Sequence, residues 1–252
     1  MKKIVIGEKI VKSFGEGKEK TKVLDGVSVE IGAGEFVAVM GPSGSGKTTL
    51  MFCLSGMETI NSGKVLFDGK DLTSFREDEL ADLRRRRMGF VFQQPTLLKN
   101  LNLLDNIILP AQKGNEKRAS ALTEKAKKLM EKMGLKGLEQ RNITQVSGGQ
   151  LQRAGICRAL MSDPEIIYGD EPTGALNSRT AQEIMNILRD INNEGTALLL
   201  VTHDTKVAAQ AQRVLFMRDG NIVREQTLPG FDNSNLESRI NLITEEMRKT
   251  ET

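Results

Sequence analysis

Short, nearly uncharged apolar runs recur along the chain at 36–40, 89–92, 166–168, 197–201 and 214–217. Runs of this length without alternation are the pattern of parallel strands buried on both faces. Helical stretches lie between them, one opening at Gly46 and another covering 180–192. The first 35 residues read differently. Segments 9–14 and 23–31 mix apolar and polar positions around a connector rich in Gly, Lys and Glu, which predicts a small, half-exposed antiparallel sheet. From about 95 to 160 there is no buried strand, and Leu122, Ala126, Leu129 and Met133 recur at three and four residues to give one apolar helical face. The expected fold is α/β: a mostly parallel sheet with an N-terminal antiparallel β-subdomain and a helical subdomain inserted at about 95–160. Residues 1–230 are expected to form one domain, and 231–252 a charged helical extension. In that extension Leu236, Ile240, Ile243 and Met247 share a face that docks on the body or on a partner, the body being the default.

Composition narrows the picture. A chain of 252 residues is long enough to bury a large core, and 36 basic against 33 acidic residues give no reason to expect a nucleic-acid partner. No apolar run approaches the roughly 18 residues of a membrane span. The opening Met1-Lys2-Lys3-Ile4-Val5-Ile6 lacks the longer apolar core of a secretory signal. Cys53 and Cys157 have no neighbours at metal-ligand spacing and read as two buried, reduced thiols, which points to the cytoplasm.

Gly41-Pro42-Ser43-Gly44-Ser45-Gly46-Lys47-Thr48 meets every fixed position of the phosphate-binding loop. It follows an apolar strand and leads into Thr49-Leu50-Met51-Phe52, a helix start. Glycines let successive backbone N–H groups turn inward around phosphate oxygens, and the helix N-terminus adds partial positive charge. Lys47 then reaches the β- and γ-phosphates, and the Thr48 hydroxyl ligates Mg²⁺. A chance Gly/Ser-rich turn is the bland alternative, and the strand before and helix after weigh against it.

Further along, Glu165-Ile166-Ile167-Tyr168-Gly169-Asp170-Glu171 is an apolar strand closing on two carboxylates. C-terminal ends of parallel strands line the ligand crevice, so Asp170 suits a Mg²⁺ contact and Glu171 the activation of a water. Between these motifs, Ser147-Gly148-Gly149-Gln150 reads locally as a capping box, although the same helix N-terminus also offers donors to an anion.

Val146-Ser147-Gly148-Gly149-Gln150 resembles the signature of the ATP-binding cassette superfamily, whose usual form is L-S-G-G-Q, and the resemblance runs from about residue 3 to 226. It implies a P-loop NTPase core and a set of site residues. Phe14 stacks on adenine, and Gly41, Ser43, Gly44, Ser45, Gly46, Lys47, Thr48 and Thr49 surround the phosphates. Gln93 links nucleotide state to the helical subdomain and joins Thr48 and Asp170 at Mg²⁺. Glu171 is the base, His203 contacts the γ-phosphate, and Gly174-Ala175-Leu176-Asn177 crosses the dimer interface. Ser147, Gly148, Gly149 and Gln150 close over the nucleotide held by a second copy. Three positions depart from the commonest pattern: Val146 for leucine, Phe14 for tyrosine and Asn177 for aspartate. Asparagine lacks the aspartate charge, which puts turnover and communication between sites in question.

The resemblance further implies a homodimer that binds ATP and Mg²⁺ and drives a separate integral-membrane permease from the inner face of the cell membrane. Within the superfamily, Asp170–Leu176 and the segment around Asn106-Ile107-Ile108-Leu109-Pro110 resemble the macrolide-exporter, lipoprotein-release and bacitracin-type peptide-resistance group. Gly174-Ala175-Leu176-Asn177 leans toward the export of, or resistance to, antimicrobial peptides. Leu97, Leu98, Leu101, Leu103 and Leu104 are offered either to the permease or to a subdomain core, and Arg84–Arg87 to a solvated helix end or to lipid and permease. Two readings compete: a soluble cassette acting on ribosomes or DNA, and an ATP-binding clamp with little turnover.

Overall fold

The computed structural model describes residues 2–113 and 119–251. In chain order these form β1 (Lys3–Phe14), β2 (Thr21–Gly32), β3 (Phe36–Met40), α1 (Lys47–Leu54), β4 (Ser62–Phe67), β5 (Lys70–Asp71) and α2 (Glu77–Arg87). There follow β6 (Met88–Phe92), α3 (Leu103–Gln112), α4 (Ala119–Lys132), α5 (Gly148–Leu160), β7 (Ile166–Asp170) and α6 (Ser178–Asn193). The chain closes with β8 (Ala197–Val201), α7 (Thr205–Ala208), β9 (Arg213–Arg218), β10 (Asn221–Thr227) and α8 (Leu236–Glu251). Chain contacts divide it into two compact units, one up to Ala81 and again from Ala197, the other Asp82–Thr196. The second unit is wider than the insertion expected at 95–160.

In the first unit, β3 lies parallel to β8 on one side and to β9 on the other, with β10 antiparallel at the edge. Every residue of β3 and β8 is buried, as both-face burial requires of a parallel strand. The expected small antiparallel sheet is present and larger than its sequence pattern indicates, with strand order β2-β1-β4-β5. α8 packs on α7, β9 and β10, so the terminal helix docks on the body of its own unit.

In the second unit β6 pairs in parallel with β7, and α3, α4 and α5 pack on one another. Phe90 stacks on Tyr168 at 5.6 Å between ring centroids. Gly89 is required where it stands, because a Cβ there would meet the Ile167 side chain at 2.9 Å and the Ala159 carbonyl at 3.1 Å. Of the α4 face, Ala126 and Met133 are buried together with Met130, while Leu122 and Leu129 are half-buried. The leucine cluster is mostly core: Leu97, Leu103 and Leu104 are buried and Leu98 is exposed. Three arginines of the run are ion-paired, Arg85 and Arg86 sharing Asp82 and Arg87 meeting Glu165. Hydrogen bonding from Arg85 holds the Asp82 carboxyl below its ordinary range. Among the described residues no helix is long and apolar enough to cross a membrane.

Candidate active site

The glycine loop connects β3 to α1 in the first unit. Gly41 has φ 152°, and a Cβ there would lie 2.1 Å from the Met217 carbonyl oxygen. Gly46 has φ 96° and caps α1, and a Cβ there would lie 2.8 Å from the Val23 carbonyl oxygen. Both positions therefore exclude any side chain for reasons of fold, which leaves the loop backbone bare there. The Lys47 ammonium donates to the Gly41 carbonyl at 2.9 Å and the Pro42 carbonyl at 2.7 Å, so its charge is already turned back over the loop. Ser45 is buried, and its hydroxyl has no hydrogen-bond partner among the described residues. Thr48 and Thr49 sit in the first turn of α1. His203, exposed, follows β8, and Phe14, 43% exposed, ends β1.

The second unit holds the remaining candidates. Asp170 ends β7, and Glu171 follows it with φ 47°, in the left-handed region. For a non-glycine residue that conformation costs on the order of 1 kcal/mol, and such strain persists where surrounding structure imposes it. The turn closes through a bond from the Gly174 N–H to the Glu171 carbonyl at 3.0 Å. A Cβ on Gly174 would come 2.9 Å from Gln93 Nε2 and 3.5 Å from the Glu171 Cβ, so the Gln93 amide and Glu171 border one turn.

At α5 the capping box forms as its spacing predicts. The Gln150 N–H donates to Ser147 Oγ at 3.3 Å, and the Ser147 N–H donates to Gln150 Oε1 at 2.8 Å. Ser147 and Gly148 are exposed, whereas Gly149 is buried. A Cβ on Gly149 would strike Thr180 Cγ2 at 2.5 Å. Ala in place of Gly in a helix gains about 1 kcal/mol of propensity, but overpacking at this distance costs about 1–3 kcal/mol. Gly149→Ala is accordingly expected to lower stability in chemical denaturation, with Thr180→Ser, which lacks that methyl, restoring most of the loss. Asn177 caps α6 by accepting from the Thr180 N–H at 3.0 Å, a role its amide oxygen fills as a carboxylate would.

Sequence reasoning missed Gln152. It is 1% exposed on α5, and its Nε2 donates to the Phe92 carbonyl at 3.0 Å and the Pro172 carbonyl at 2.7 Å. It therefore ties the residue before Gln93 to the residue after Glu171. Its only signal was a polar residue on the buried face of a helix, which periodicity alone counts as noise.

Thr48 carries a hydroxyl in the first unit and Asp170 a carboxylate in the second, each the kind of oxygen ligand a hard cation takes, while no group of three or more His, Cys, Asp or Glu among the described residues could hold a metal ion. Mg²⁺ is commonly held this way, by one or two protein oxygens together with substrate phosphates. The two thiols stand apart from this chemistry: Cys53 and Cys157 are buried, and burial pushes both up to about 12.

The chain is similar to known proteins in both sequence and fold. The ABC transporter family model matches residues 24–174. The macrolide export ATP-binding/permease protein MacB of Aggregatibacter actinomycetemcomitans is 44% identical over 212 residues, which is 84% of this chain and 33% of that protein. MacB of Neisseria gonorrhoeae is 42% identical over 219 residues, 86% of this chain and again 33% of its own. The chain thus spans about a third of the length of these exporters. Among solved structures, the dimeric post-hydrolysis state of the ATP-binding cassette MJ0796 bound to ADP and Pi superimposes with a TM-score of 0.82 at 36% identity, covering 90% of this chain and all of that one. The ADP conformation of the cassette MJ1267 gives 0.82 at 28% identity, covering 100% of this chain and 98% of that one. The chain belongs to the ABC transporter family, as an ATP-binding cassette carrying that family's ATPase motifs.

Proposed function

We propose that the chain works as a homodimer that hydrolyses ATP to drive a membrane permease, of the type found in macrolide export, for the export of antimicrobial compounds. The observation that supports the dimer is the α5 N-terminus: Ser147 and Gly148 are exposed, and a helix N-terminus whose capping hydroxyl still has its proton to donate can receive an anion. A second copy's nucleotide is the ligand that completes it, as the dimeric form of the similar cassette MJ0796 suggests.

In this reading Phe14 stacks on adenine, while Gly41, Ser43, Gly44, Ser45 and Gly46 present backbone donors to the phosphates. Lys47 exchanges its loop carbonyls for β- and γ-phosphate oxygens, and Thr49 N–H adds to the helix-terminal donors. Thr48, Asp170 and Gln93 hold Mg²⁺, which when bound neutralises charge across the β- and γ-phosphates. Glu171 takes the proton of the attacking water, and His203 donates to the γ-phosphate. Ser147, Gly148, Gly149 and Gln150 of the partner copy close the site. Phosphoryl transfer depends mainly on positioning and electrostatics, and every group named supplies one or the other. With the γ-phosphate gone, the contacts joining the two copies weaken and the dimer opens. That motion is passed to a permease outside this sequence, which places the cassette on the cytoplasmic face of the membrane.

The test is Glu171→Gln with ATP and Mg²⁺, its mass in solution measured beside the unmutated chain. The amide cannot accept the proton, and loss of a general base costs about 100- to 10,000-fold in rate. The variant is expected to form a stable dimer with ATP while the unmutated chain turns ATP over and stays largely monomeric. A variant that remains monomeric and hydrolyses ATP at the unmutated rate overturns both the dimer and the role of Glu171.

A further inference from the structure

We infer that Lys12 is a positioning residue for the adenine platform, holding the Phe14 ring from beneath so that its free face meets the base; this rests on the reading of Phe14 given above. Lys12 is 6% exposed, unusual for a lysine, and its ammonium lies 4.8 Å from the Phe14 ring centroid. That separation is within cation–π range. The ammonium is fixed there by Glu58 Oε1 at 2.6 Å. A buried lysine charge without a partner is expensive, so the ion pair is what allows a cation to lie against the ring at all.

Glu58 carries the connection back to the phosphate loop. Its N–H and that of Met57 both donate to the Phe52 carbonyl in α1, the helix that opens at Lys47. The end of β1 is fastened to the same segment. The Asn61 N–H donates to the Val11 carbonyl at 2.8 Å, and the Ser13 N–H donates to Asn61 Oδ1 at 2.6 Å. Ring and phosphate loop are thereby referenced to one helix. A cation on one face draws electron density from the ring and leaves the other for an aromatic base. Phe14, 43% exposed, would otherwise have to be ordered by the nucleotide itself, and Lys12 meets that ordering cost before binding. The arrangement also offers a reason why phenylalanine suffices where tyrosine is commoner: the ring is held by its face and needs no hydroxyl.

The measurement is the ratio of affinities for Mg²⁺-ATP and Mg²⁺-tripolyphosphate, which share phosphates and differ in the base. Lys12→Met, which keeps an apolar stem of similar length, is expected to shrink that ratio about fivefold, with tripolyphosphate affinity unchanged. Lys12→Arg, which keeps the charge, should hold the ratio near the unmutated value. In a Phe14→Ala background, Lys12→Met should change nothing further. Equal weakening of both ligands would make Lys12 a structural support of the phosphate loop and overturn the inference. An undiminished Lys12 effect without the Phe14 ring overturns it too, because Lys12 would then act on the base directly. If Phe14→Ala alone leaves the ratio intact, the adenine platform itself is wrong, and the inference falls with it.

Discussion

Replacing Lys47 with Ala is expected, on the proposed role of its ammonium, to lower ATP turnover by about 100- to 1,000-fold while changing unfolding free energy by only about 0.5 kcal/mol. The two effects separate because of what the side chain does in the folded chain. Its ammonium is half-exposed and bonded to the Gly41 and Pro42 carbonyls, both of which water can serve once the lysine is gone. In the proposed mechanism catalysis has no such substitute, because the neutral acceptors would give way to anionic phosphate oxygens, and charge-assisted bonds of that kind are about twice as strong as neutral ones. Lys47→Arg should not rescue the rate, since a planar guanidinium fork cannot enter a loop shaped around a point donor. Steady-state turnover and a denaturation curve on the same preparations check both halves. An alanine variant retaining more than about a tenth of the rate would remove Lys47 from the transition state.

Much of this site was legible because its chemistry is local. The glycine loop, the strand ending in Asp170-Glu171 and the Ser147–Gln150 box are contiguous, and each fixes its own backbone by turn or capping geometry. β3 and β8 were read to the residue because strands buried on both faces leave unbroken apolar runs. Segments whose identity depends on a distant partner were not legible. β4 begins with three exposed residues, Ser62, Gly63 and Lys64, and only pairing with β1 makes it a strand. α2 buries Leu80 alone, so it has no apolar stripe to detect. Met130 belongs to the α4 core but was absent from the period read there. Phe14 and Gln93 carry no local signal of their own, and resemblance alone singled them out, whereas His203, the one histidine of the sequence, also stands just after the apolar run that forms β8. Gln152 and Lys12 escaped for a related reason: each is a polar residue turned inward, and only the carbonyls or carboxylate it meets make that affordable.

The terminal helix shows the same inversion at larger scale and supports the other large effect, Arg239→Met. The pattern of Leu236, Ile240, Ile243 and Met247 described an apolar face, yet the inward face of α8 centres on Ile243 flanked by Arg239 and Glu246, both almost wholly buried. Glu246 is answered by Arg224 and Lys249. Arg239 donates through Nε to the Ala209 carbonyl, through Nη1 to Pro229 and through Nη2 to Ala211, and its guanidinium lies 5.4 Å from the Phe231 ring centroid. Ala209 is the C-cap of α7 and lies in the buried turn that follows it. One rigid fork thus satisfies the buried Ala209 and Ala211 carbonyls, which water cannot easily reach, and adds a bond to the carbonyl of the exposed Pro229. Methionine fills similar volume but leaves the two buried carbonyls, of Ala209 and Ala211, without a donor, and unsatisfied buried groups cost about 1–3 kcal/mol each. Allowing for partial relaxation, Arg239→Met should destabilise the fold by about 3–5 kcal/mol and lower Tm by roughly 10 °C for a chain of this size. Lysine, with one ammonium for three acceptors, should recover only part of that. A denaturation midpoint within about 1 kcal/mol of the unmutated chain would mean the Ala209 and Ala211 carbonyls find water when the guanidinium is removed, and that apolar burial of Ile243 alone holds α8 in place.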